Sequence, residues 1–117
     1  MNQLHSQVSD KQKLQKIKPT IWFQRKELDQ ILRVYGRMVS AGEWRDYAID
    51  GLKDRAVFSI FRRSSEAPSY VIEKRPDLAR RQGAYAVINA TGQILKRGHE
   101  LSQVLRIFDK RRFDVIG

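Results

Sequence analysis

Apolar residues recur at spacings of three and four at Leu28, Ile31, Leu32, Tyr35, Met38 and Val39, one face of an amphipathic helix. The pattern predicts a helix over about residues 25–41, closed by Gly42 as a left-handed cap. Five short runs then follow, rich in β-branched and aromatic residues, at 44–50, 55–62, 70–74, 84–88 and 93–97. Turn formers separate them: Asp50-Gly51, then Ser64, Ser65 and Pro68, then Pro76, then the stretch from Asn89 to Gly92. After Gly98 the three-and-four spacing returns at Leu101, Val104, Leu105 and Phe108, which predicts a second helix. Residues 20–23 and 113–116 are short β-like runs at the two ends. The fold class expected is α+β, an antiparallel meander of five to seven strands packed with two helices.

Several strands are apolar on both faces. Ala56, Phe58 and Ile60 share one side of their run, while Val57 and Phe61 lie on the other. The runs Tyr70-Val71-Ile72 and Ala84-Tyr85-Ala86-Val87-Ile88 behave alike. A sheet with one wet face should alternate instead. Two helices cover one face, so the second calls for barrel-like curling, a partner subunit such as a second copy, a ligand or covering loops.

Composition sharpens this reading. The 117 residues fit one domain at 19–117, preceded by a basic and flexible N-terminal arm at 1–18. The arm sets Lys11, Lys13, Lys16 and Lys18 against Asp10. The net charge of +10 exceeds what solubility asks of a small domain, about 2 to 8 in magnitude, and points to a polyanionic partner such as RNA or DNA. With no cysteine, disulfides, thiolate metal sites and cysteine nucleophiles are excluded. No apolar run reaches the roughly 20 residues of a membrane span, so a cytoplasmic protein with no membrane partner is expected.

The basic residues fall in adjacent pairs, and meander topology says where the pairs meet. Lys74 and Arg75 close the third run, Arg80 and Arg81 open the fourth, and Lys96 and Arg97 close the fifth at the same end. His99 follows at the start of the second helix. These seven residues, beside unpaired helix-terminal amides, form the candidate anion-binding edge. Arginine suits such a site because its planar fork makes paired contacts to phosphate or carboxylate. The competing expectation is that strand-end charges are solvated and that Glu73, Asp77 and Glu100 neutralise some of them.

Enzymatic signatures are missing, so no catalytic residue, metal or cofactor is assigned. His99-Glu100 resembles half of a zinc-binding helical motif, but Gln103 stands where the second histidine belongs. Neither a phosphate-binding glycine loop nor a nucleophile elbow is present. Asp46, Asp50 and Asp54 could do acid–base work, yet beside Arg45, Lys53 and Arg55 they read as surface pairs. Tyr70, Tyr85, Phe58 and Phe61 interleave with arginines as base-stacking residues do, but aromatics on short strands are more often core. The stretch from Arg81 to Val87 has one aromatic where an RNA-recognition signature needs three.

Six strings carry a resemblance: Val34-Tyr35-Gly36-Arg37-Met38-Val39, Gly42-Glu43-Trp44-Arg45-Asp46-Tyr47, Phe58-Ser59-Ile60-Phe61-Arg62-Arg63, Ile72-Glu73-Lys74-Arg75-Pro76, Ala79-Arg80-Arg81-Gln82-Gly83-Ala84-Tyr85 and Leu95-Lys96-Arg97-Gly98-His99. Over about residues 21–110 the chain resembles an uncharacterised bacterial family, domain of unknown function 2794. That family has an aspartate before the first helix where this chain has Gln24, which implies an altered helix cap. The resemblance implies no activity and no catalytic residues. The expected function is a non-enzymatic binding module that presents its basic edge to an anionic partner. The alternative is a protein-interaction or homo-oligomerisation domain that uses the apolar second face.

Overall fold

The computed structural model describes residues 20–63 and 67–116, with the backbone alone from 110 onward. The basic arm at 1–18 lies outside the described residues. Helix α1 (Arg25–Ser40) leads into strands β1 (Asp46–Gly51), β2 (Ala56–Phe61), β3 (Tyr70–Lys74), β4 (Tyr85–Asn89) and β5 (Ile94–Gly98), and helix α2 (Leu101–Ile116) closes the fold. A 3-10 turn at Pro76–Leu78 joins β3 to β4. All neighbouring strands are antiparallel and follow chain order, so the α+β meander has five strands. Among the described residues no helix is long and apolar enough to cross a membrane.

The two end runs do not become strands. Residues 20–23 contribute one isolated bridge, Ile21 to Leu52. Residues 113–116 continue α2, because neither glycine nor proline interrupts the chain between Leu101 and Ile116 and the helical ladder has no reason to stop. β1 also runs through the Asp50-Gly51 turn signal. Trp22 lies against Gly51 where any larger side chain would sit, so this glycine accommodates a ring, and the turn comes at Leu52, whose N–H donates to the Arg55 carbonyl.

α1 ends as its sequence prescribes. Gly42 takes φ +78° and donates to Val39 O, while Glu43 N–H donates to Met38 O, so the last carbonyls are satisfied. At the other end Glu27 accepts the Gln24 N–H at 2.6 Å, so Glu27 supplies a cap to the helix that Gln24 opens. The buried stripe of α1 is Glu27, Ile31, Val34 and Met38, whereas Leu32 and Val39 are exposed.

Register assigns the faces. Ile49, Phe58, Ile72 and Val87 pair in a row, as do Tyr47, Ile60 and Tyr70. This face meets both helices through Ile31, Val34 and Met38 of α1 and Leu101, Val104, Leu105 and Phe108 of α2. Phe108 packs edge-on against Trp44 and Tyr70, at 4.7 and 5.3 Å between centroids, which anchors α2 beyond its area burial.

The second face carries two complete rows. One runs Asp50, Val57, Glu73, Ala86 and Arg97, and the other runs Ala48, Ser59, Val71, Ile88 and Ile94. A bulge makes the second row possible: Val87 faces Lys96 but Ile88 faces Ile94, so Leu95 is an extra residue that packs on the core. Among the described residues β1 and β5 do not pair, so the sheet stays open rather than curling into a barrel. On the outer strand β1, the Asp46 carboxylate accepts the neighbouring Tyr47 N–H at 2.8 Å.

Candidate anion-binding edge

The predicted basic pairs do meet at one end of the sheet. Lys74 faces Tyr85, which faces Gly98, so the exit of β3, the entry of β4 and the exit of β5 lie side by side. Arg75 N–H donates to Ala84 O at 2.6 Å, and Pro76 then starts the 3-10 turn because its ring fixes φ and needs no donor. The connection closes with Leu78 O accepting from Gly83 N–H at 2.9 Å. Gly83 adopts φ +112° and sits directly against the Gly98 backbone. Arg97 Nη1 donates to Gly83 O at 3.2 Å, and His99 Nδ1 lies 3.0 Å from Ala79 O. A carbonyl only accepts, so that contact places the imidazole proton on Nδ1. The β3–β4 loop is thereby fastened to the junction between β5 and α2.

The seven candidate residues divide by what they touch. Lys74 is turned inward, with its Nζ 2.8 Å from Glu27 Oε1 and 3.0 Å from Trp22 O. Arg97 lies across Ala86, whose small side chain leaves room for it, and reaches Glu73 at 3.3 Å. Arg55 reaches the other oxygen of Glu73 at 2.8 Å, so this buried carboxylate is held from both sides. Arg75 forms a two-point contact with Asp77 at 2.9 and 3.3 Å. That contact raises the Arg75 pKa and lowers that of Asp77, and the nearby Arg81 adds to the lowering. His99 is occupied by Ala79 O. Arg80, Arg81 and Lys96 are exposed, and their side chains form no hydrogen bond or ion pair among the described residues.

Two acids therefore decide which cations face outward. Glu73 was legible as a neighbour of the patch, but Glu27, forty-seven positions from Lys74, was not. Its signal was phase: Glu27 precedes Ile31, Val34 and Met38 by four, seven and eleven positions, so it lies on the buried stripe. The Glu27 carboxylate also accepts the Tyr85 hydroxyl. Burial alone would raise the Glu27 pKa, but the hydrogen bonds from Lys74, Tyr85 and Gln24 outweigh it and the net shift is downward.

The family described as "Protein of unknown function (DUF2794)" matches residues 21–105. The chain belongs to this family. No curated protein and no solved structure is similar enough to match. The DUF2794 match spans every strand, α1 and the first turn of α2, so it includes the whole fastened edge. Three of the four aromatics interleaved with this edge are committed to the core: Phe58 is fully buried in it, and Tyr70 and Tyr85 pack against it. Phe61 is half-buried on the second face.

Tyr85 has a measurable consequence. Burial first, and then its hydrogen bond to the Glu27 carboxylate, push the phenol up to about 12 from an ordinary value of 10.0. The fold favours the protonated phenol, so this stabilisation is complete below pH 10 and is lost as pH rises through about 12. In an ultraviolet titration of tyrosinate, the component near 12 should disappear in Tyr85→Phe. The same substitution should cost about 1 kcal/mol at neutral pH.

Proposed function

We propose that this domain is a non-enzymatic binding module that takes a polyanion, the phosphate backbone of a nucleic acid, on Arg80, Arg81 and Lys96. The observation that supports this reading is the fastening of the β3–β4 loop to the start of α2, which holds Arg80 and Arg81 outward while their neighbours are consumed by carboxylates. Arg75 is a fourth, conditional contact. Its tie to Asp77 is half-exposed, and ion pairs in that setting are weak, so a phosphate can compete for its fork. Lys74 and Arg97 act through the fold by fixing the loop.

Binding of this kind releases counterions, so affinity should fall steeply with salt. The test is fluorescence anisotropy with a single-stranded RNA, a duplex DNA and heparin across a salt series. The double variant R80E/R81E should bind at least about tenfold more weakly, with the salt slope reduced by about 2. Its unfolding midpoint should not change, since neither side chain holds the fold. Unchanged affinity in R80E/R81E would remove the edge as the site. If binding then vanished on deletion of residues 1–18, the lysines of the arm would be the binding element instead.

A further inference from the structure

We infer that two copies of this chain associate through the second face of the sheet, around a two-fold axis that lies between the two sheets, parallel to the strands and over β3. Both helices pack on the opposite face, and Val57, Phe61, Val71 and Ile88 are half-buried here with Ile94 half-exposed. On a chain of net charge +10, this face is the exception. Its charged row pairs Asp50 and Glu73 with Arg97 and the adjacent Arg55, so the row is neutral, and Asp46 beyond it leaves the face slightly acidic. Exposed cations such as Arg80, Arg81 and Lys96 oppose the approach of a second copy at the basic edge, and this face lacks that surplus.

The order of charges selects the orientation. An axis along the strands places β1 of one copy over β5 of the other. Asp50, on the first strand of its row, then opposes Arg97, on the last strand of the same row, while Glu73 at the centre meets its own counterpart with its charge already balanced by Arg55 and Arg97. In the apolar row the same operation sets Ala48 over Ile94, Ser59 over Ile88, and Val71 over its own counterpart. An axis across the strands would instead lay Asp50 over Asp46, a like-charge contact. Face-to-face packing of aligned sheets is a standard arrangement of two apolar sheet faces. Five strands at about 4.8 Å and five residues at about 3.3 Å give roughly 400 Å² of sheet per copy, below the roughly 600 to 1,000 Å² per partner of a stable interface and in the range of weak, transient ones. The association is therefore weak and concentration-dependent.

This inference stands apart from the polyanion reading, because Arg80, Arg81 and Lys96 do not belong to the two rows. Sedimentation velocity of the full chain from low micromolar to near-millimolar concentration tests it. The expected result is a monomer that converts to a dimer in the micromolar range. V71K and V71E should each remain monomeric, and an equimolar mixture should form the heterodimer, because only a residue on the axis meets its own counterpart. D50R, on an exposed position that leaves the core untouched, should weaken the dimer at least about tenfold by setting arginine against Arg97. R80E/R81E should dimerise as the unaltered chain does. A chain that stays monomeric at the highest concentration overturns the inference, as does a dimer unaffected by D50R or lost in R80E/R81E. Failure of the folded V71K and V71E chains to pair with each other overturns the two-fold.

Discussion

Gly83→Ala should destabilise the fold by about 3 kcal/mol and lower its unfolding midpoint by roughly 15 °C. Two causes act together. The φ of +112° is one that side chains with a Cβ rarely adopt, and the added methyl would land on the carbonyl group of Gly98, which is backbone and cannot swing aside. Because that contact is what seats the β3–β4 loop on the β5–α2 junction, the loss should also detach Arg80 and Arg81 from their positions. Gly36 provides a control of opposite sign. It lies within α1 with open space where a Cβ would be, so Gly36→Ala should stabilise by about 1 kcal/mol. Thermal unfolding followed by circular dichroism reads both, and equal effects at the two glycines would refute the packing argument.

Glu27→Ala should cost about 3 kcal/mol as well, through a different mechanism. The carboxylate is the buried meeting point of Lys74 Nζ, the Tyr85 hydroxyl and the Gln24 N–H, contributed by β3, β4 and the start of α1. Its removal leaves the Lys74 ammonium, on a side chain only 13% exposed, without its counter-charge, and uncaps the helix at the same time. Urea unfolding at neutral pH measures the loss. Acid tests the same network from the other side. The folded Glu27 carboxyl titrates below its ordinary value of 4.5, so its contribution is present above that pH and disappears as pH falls through the lowered folded value. The acid limb of the stability curve should therefore be shallower in Glu27→Gln than in the unaltered chain. Identical limbs would show that the carboxylate does not carry the network.

Much of the fold was readable because its signals are local. The spacing of Ile31 and Met38, the Gly42 cap and the turn formers from Asn89 to Gly92 each act within a few residues, and each element formed near its expected place. The misreadings came from partners distant in sequence. Leu32 and Val39 looked like core on periodicity, but the true stripe is rotated toward Val34 so that Glu27 can meet Lys74. Gly51 looked like a turn and instead accommodates Trp22, twenty-nine positions earlier. The meander put the cations at one end, since register follows from antiparallel neighbours in chain order. What it could not supply was their pairing, which depends on Ala86 being small enough for Arg97 to cross to Glu73.

Both outer strands of the meander are poor templates for further hydrogen bonding. On β1 the Asp46 carboxylate already takes the Tyr47 N–H, and the Leu52 carbonyl is spent on Ile21. On β5 the extra residue Leu95 breaks the even spacing that an incoming strand would have to match. Open borders on short, β-branched strands are otherwise templates for edge-to-edge pairing. With both borders blunted, association through the flat of the sheet would close after two copies, because the helices occupy the opposite face and leave no second surface on which to repeat.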